Sequence, residues 1–69
     1  MRQYILINGN EEFIFLEIGK NKYKEEYWKK EINEDGDTEW KLYHEVKFLT
    51  EESMKDLANQ LIDAGFRLI

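Results

Sequence analysis

Residues 4–18 read Tyr4-Ile5-Leu6-Ile7-Asn8-Gly9-Asn10-Glu11-Glu12-Phe13-Ile14-Phe15-Leu16-Glu17-Ile18. Two apolar runs flank Asn8-Gly9-Asn10, a tight-hairpin signal because Gly and Asn tolerate positive φ. A two-residue Gly9-Asn10 turn sets Leu6 opposite Phe13, Tyr4 opposite Phe15 and Arg2 opposite Glu17. Side chains alternate between the two faces of a strand. Here successive residues are apolar, so both faces of the sheet carry them. One helix can cover only one of those faces.

The chain continues outward from this hairpin in the same style. The second strand ends at Gly19-Lys20-Asn21, another turn signal. A third strand is expected over residues 22–33 and a fourth over 38–48, joined through Glu34-Asp35-Gly36-Asp37. The fourth alternates, with Trp40, Leu42, His44, Val46 and Phe48 on one face and Lys41, Tyr43, Glu45 and Lys47 on the other, the pattern of a half-buried strand. A two-residue Asp35-Gly36 turn would oppose Lys30 to Lys41, Glu26 to Glu45 and Lys24 to Lys47, which is unfavourable. An odd loop of three or five residues centred on Gly36 instead pairs Glu31 with Lys41 and Glu25 with Lys47. It also sets Trp28 beside His44 and Ile32 beside Trp40, and is the predicted connection.

A helix is predicted over residues 51–64. Thr50 suits the N-cap, and Glu51 and Glu52 occupy the first turn, where the helix dipole favours anions. Leu49 and Met54 fit a hydrophobic staple. Met54, Leu57, Ala58, Leu61 and Ile62 follow the spacing of one buried face. Gly65 is placed to end the helix in a left-handed conformation, with Phe66 folding back towards Leu61 in a Schellman motif. The apolar end Phe66-Arg67-Leu68-Ile69 is expected to dock on the core, with room for a short fifth strand. The predicted fold is therefore α+β: an antiparallel four-stranded meander packed against one C-terminal helix. Residues 1–69 form one domain, with no proline, linker or repeat to divide it.

Composition narrows the function classes. Sixty-nine residues without cysteine have neither disulfides nor a thiolate metal cage to reinforce a small core. That raises the expectation of oligomerisation. A net charge of −5 argues against affinity driven by a phosphate backbone. The balance is uneven: residues 1–30 hold six basic and five acidic side chains, residues 31–69 four and ten. No apolar run is long enough for a transmembrane helix, and no signal-peptide layout opens the chain, so a cytoplasmic protein is expected. Richness in Lys, Glu, Asn and Ile suits an AT-rich bacterial or phage genome.

Catalytic chemistry has little support. His44 is the single histidine, and a general base needs an orienting carboxylate and a cleft that no pattern supplies. It reads as a packed or edge residue, and Ser53 as a first-turn residue bonding to backbone. The glycines are isolated, so no phosphate loop exists. Glu34, Asp35, Asp37 and Glu39 lack the register of a calcium loop and read as a solvated hairpin tip. The chain is expected to be non-enzymatic, with no cofactor or metal.

Three binding readings remain. The first is a protein-interaction module, a homodimer or a unit docked on a partner protein. With the helix placed over Trp40, Leu42, Val46 and Phe48, the opposite face keeps alternate residues of the first two strands and the tyrosines of the next two. Tyr4, Tyr23, Tyr27, Trp28 and Tyr43 are then the expected exposed aromatics, a composition favoured at interfaces. The tail Phe66-Arg67-Leu68-Ile69 is the only internal cover for that face. The second reading is single-stranded nucleic-acid binding through Lys22, Lys24, Trp28, Lys29 and Lys30, where cations and aromatics interleave. Four strands followed by a helix resembles the order of elements in the positive-coactivator type of single-stranded-DNA-binding domain, in topology alone. The third is charge mimicry by the acidic second half, with Glu51, Glu52, Asp56 and Asp63 on the helix, as in small phage inhibitor proteins.

Overall fold

In the computed structural model, β1 (Gln3–Asn8) and β2 (Glu11–Gly19) are joined by the predicted Gly9-Asn10 turn. Leu6 faces Phe13 and Tyr4 faces Phe15. Gly9 has φ +60°, the positive value that a primed hairpin turn needs at its first central residue. The structure describes residues 2–69, and Met1 lies outside them. A second tight turn, with Asn21 at φ 55°, leads into β3 (Lys22–Ile32). A five-residue loop then leads to β4 (Thr38–Leu49).

That third connection is odd, as predicted, but is centred on Asp35 rather than Gly36. Ile32 pairs with Thr38, Glu31 with Glu39 and Lys29 with Lys41. The expected pairs of Glu31 with Lys41, Glu25 with Lys47, Trp28 with His44 and Ile32 with Trp40 are replaced. The loop decides this register locally: the Asn33 Oδ1 accepts the amides of Asp35 and Asp37, both at 3.0 Å. Like charges opposed across the ladder are relieved diagonally, with Lys41 Nζ 3.5 Å from Glu31 and 3.6 Å from Glu39. Exposed pairs of this kind are worth under about 1 kcal/mol each and do not outrank a hydrogen-bonded loop.

β3 and β4 also slip past each other twice. Tyr27 pairs with His44 but Trp28 with Leu42, and Glu25 pairs with Val46 but Tyr23 with Leu49. Each slip is a β-bulge, and an extra residue shifts the alternation by one. The expectation that Trp40, Leu42, His44, Val46 and Phe48 share one face is therefore corrected. Trp40 and Leu42 stand on one face, His44 and Val46 on the other.

The helix α1 (Glu51–Asp63) begins as predicted: the Thr50 hydroxyl accepts the Ser53 amide at 3.2 Å. It ends at a Schellman motif, with the Phe66 amide donating to Leu61 O and the Gly65 amide to Ile62 O. Gly65 has φ +106°. The chain then runs beside β1 as β5 (Arg67–Leu68), which gives a five-stranded antiparallel sheet in the order β4-β3-β2-β1-β5.

The core lies between α1 and the face of the sheet that carries Tyr4, Leu6, Phe13, Phe15 and Tyr23. Leu6, Phe15, Tyr23, Met54 and Phe66 are its buried members, and Leu49, Leu57, Ala58 and Leu61 pack against them. Phe66 meets Phe13 edge-on at 5.4 Å between ring centres. The helix therefore covers the tyrosine face. The placement over Trp40, Leu42, Val46 and Phe48 is overturned in part: the bulge at Tyr43 turns Trp40 and Leu42 away, Val46 stays on the helix side opposite Glu25, and Phe48, next to Leu49, is 54% exposed.

Candidate functional site

Cross-strand partners share a face, so the register identifies what stands on the uncovered side. Along one row Ile5 faces Ile14, which faces Glu26, which faces Glu45. Along the next, Arg67 faces Ile7, then come Glu12, Trp28 and Leu42. Gln3, Leu16 and Lys24 form a third row, and Trp40 faces Lys30 beyond the end of β2. Continuing the β1–β5 register sets Ile69 opposite Ile5, and its amide donates to Ile5 O at 3.0 Å.

No element of the described chain packs on this side. Ile5, Ile7, Ile14, Leu16 and Trp28 are only half-buried, shaded by their neighbours in the sheet. Ile18, Trp40, Leu42 and Ile69 are exposed, Ile69 at 72%. The tail that could have covered the face pairs edgewise instead. Phe66 turns to the helix side, while Leu68 and Ile69 remain exposed. A contiguous apolar surface of this kind marks an interaction site more often than a bare monomer surface.

Polar groups border the apolar area on the β3–β4 half. Lys24 Nζ lies 3.1 Å from Glu26 and 3.6 Å from Glu45, and the Trp28 indole N–H donates to Glu26 at 3.1 Å. The Glu26 hydrogen bond holds the Lys24 ammonium above its ordinary range. Burial pushes the Glu26 carboxyl up, but the Trp28 and Lys24 hydrogen bonds outweigh it and hold the group low. The border is an internally paired network in which one ammonium serves two carboxylates.

The predicted aromatics divide between the faces. Trp28 stands on the open side. Tyr23 is 1% exposed and belongs to the core, so its expected exposure is corrected. Tyr4 is half-buried and tilted against Tyr23 at 6.3 Å. Tyr27 stacks on Phe13 at 4.6 Å and donates to Glu11 at 2.6 Å. Tyr43 is exposed on the helix side, where its hydroxyl donates to Glu31 and Lys29 lies over its ring. Among the lysines of the nucleic-acid reading, Lys22, Lys24 and Lys30 share the open face with Trp28, and Lys29 does not. The acidic helix positions Glu52, Asp56 and Asp63 are exposed on the opposite side of the molecule.

The strongest residues of the open face were not the tyrosines but Ile5, Ile7, Ile14, Leu16 and Leu42. Their signal was present in the both-face apolar runs of residues 4–18. Sequence reasoning also missed an orienting carboxylate for His44. Glu25 is 6% exposed, and one of its oxygens is 3.7 Å from His44 Nε2. Burial raises the Glu25 pKa, partly offset by His44. The period-two run Tyr23, Glu25, Tyr27 could have placed it on the core side. A groove of about 250 Å³ lies between α1 and the β1–β5 edge, lined by residues that include Met54, Ile62 and Leu68 but not His44.

No protein-family model, curated protein or solved structure matches this chain. Among the described residues, no helix is long and apolar enough to cross a membrane.

Proposed function

We propose that this chain is a small protein-interaction module that acts by docking and not by catalysis, and that its docking surface is the open face of the sheet. One observation carries the reading: apolar residues of β1 to β4, with Ile69 just beyond β5, share a face that no element of the described chain covers. An aliphatic centre of Ile5, Ile7, Ile14 and Leu16 offers little to a base or sugar but matches the buried centre of a protein interface. The compensated border of Lys24, Glu26 and Glu45 suits the polar rim of such an interface.

Single-stranded nucleic-acid binding is the competing reading, favoured by the gathering of Lys22, Lys24, Trp28 and Lys30 on this face. It is opposed by the carboxylates of Glu26 and Glu45, which occupy Lys24 where a phosphate would have to go. Two measurements separate the readings. Affinity capture from the native cell is expected to retain protein with the wild-type chain and to lose it with Ile14→Glu. Oligonucleotide titration at low salt is expected to show no binding. Salt-sensitive binding abolished by Trp28→Ala would reverse the assignment.

A further inference from the structure

We infer that the occupant of the open face is a second copy of this chain, the two sheets stacking into a sandwich with the helices outside. The inference rests on the reading of that face as a docking surface and names its partner.

The first argument is an excess of surface. A compact monomer of 8.4 kDa is expected to expose about 4,600 Å². This chain exposes 4989 Å². Its buried apolar core consists of Leu6, Phe15, Tyr23, Met54 and Phe66. With no cysteine to staple the fold, further apolar burial is the remaining source of stability.

The second argument is charge. Lys24 is compensated by Glu26 and Glu45 within one chain. The same face carries Glu12 between Ile7 and Trp28, and Lys22, Lys30 and Arg67 around it, so it presents both signs of charge and calls for a partner that does the same. A surface on which cations and carboxylates alternate is compatible with its own copy. A two-fold axis lying between the sheets and crossing the strands lays Ile5, Ile7, Ile14 and Leu16 on their own copies. It leaves the Lys24 clusters towards the rim, the arrangement of an isologous interface.

The third argument is area and the lack of an alternative edge. The molecule is 24 Å across its second dimension, about the width of five strands at ~4.8 Å. Six residues of strand add ~20 Å of length. The sheet plane is then about 480 Å² per copy before side-chain relief is counted, below the ~800 Å² per partner of a standard interface. A reversible dimer is the outcome that such an area supports. Edge pairing is the poorer route, because β4 is broken by two bulges and β5 has two residues.

Sedimentation velocity on the full chain from micromolar to millimolar concentration tests this. The wild type is expected to shift from the mass of one chain to that of two, while acrylamide quenching of tryptophan fluorescence falls in parallel. Ile14→Glu should weaken the dimer at least tenfold, and Trp28→Lys provides a second disruption should the first variant misfold. Ile62→Glu, in the groove on the helix side, should leave the dimer intact. A wild type that stays monomeric at millimolar concentration overturns the second copy, and capture lost with Ile14→Glu would then keep the face as a site for another protein. A dimer broken by Ile62→Glu but not by Ile14→Glu or Trp28→Lys overturns both the second copy and the use of this face.

Discussion

Trp28 stands directly opposite Leu42, while its neighbour Tyr27 stands opposite His44, which leaves Tyr43 as the extra residue of a bulge. That single residue decides which side of the sheet receives Trp40 and Leu42. It also bends the exposed edge of the sheet. Bulges at edges protect against strand-to-strand aggregation. Deletion of Tyr43 keeps Tyr27 with His44 and Trp28 with Leu42, so the fold should survive with an unchanged far-UV circular dichroism spectrum. The straightened edge should aggregate faster, and light scattering on heating reads this out.

Neighbouring residues of β2 should differ sharply in their cost. Phe15 is 0% exposed and Ile14 half-buried on the open face. Phe15→Ala is expected to cost ~3–5 kcal/mol. For 69 residues the total stability is roughly 3–10 kcal/mol, so this variant loses about a third or more of it, read as a large fall in the urea midpoint. Ile14→Ala at low protein concentration should cost less, about 1–2 kcal/mol, since part of its side chain stays in water in the folded state.

Gly65 has φ +106° at the helix end, and a Cβ there would meet only the Asn8 Nδ2 at 3.6 Å. Space is available, so the penalty of Gly65→Ala is backbone strain of about 1–2 kcal/mol. Each 1 kcal/mol lowers Tm by about 4–8 °C in a domain of this size. Thermal denaturation should therefore show a drop of about 5–15 °C.

The buried Glu25 should leave a signature in the pH dependence of stability. Burial raises its pKa in the folded state, so the protonated form is the one that folding favours. Its favourable contribution is complete below the pKa of the unfolded chain. It is lost as pH rises through the raised folded value. Glu25→Gln removes that loss. Chemical denaturation from pH 4 to pH 7 should show the variant gaining stability relative to the wild type as pH rises. A wild type that instead gains on the variant over this range would mean that the His44 pairing outweighs burial.

Local rules account for the parts of the fold written in short stretches. The Gly9-Asn10 hairpin depends on the φ tolerance of Gly9, the helix start on Thr50, and the helix end on Gly65 and Phe66. All are decided by atoms a few residues apart, and all were readable in advance. The excess of apolar residues over what one helix can cover was likewise legible in residues 4–18. The register of β3 against β4 was not. Charge pairing suggested one answer, but the Asn33 loop and the two bulges imposed another, because exposed ion pairs are weaker than a closed loop and a filled core. A shift of one residue exchanges the two faces of a strand. Only the assembled sheet could therefore decide that the tyrosines stand on the helix side and that Trp28, Trp40 and Leu42 join the isoleucines outside. The tail was ambiguous for the same reason: Phe66 can fill the gap beside Phe13 only by sending Arg67 and Leu68 along the edge of β1. The apolar pattern of residues 4–18 alone implied that one sheet face would be in surplus. Which face it is, and that nothing within the described chain covers it, came from tertiary packing.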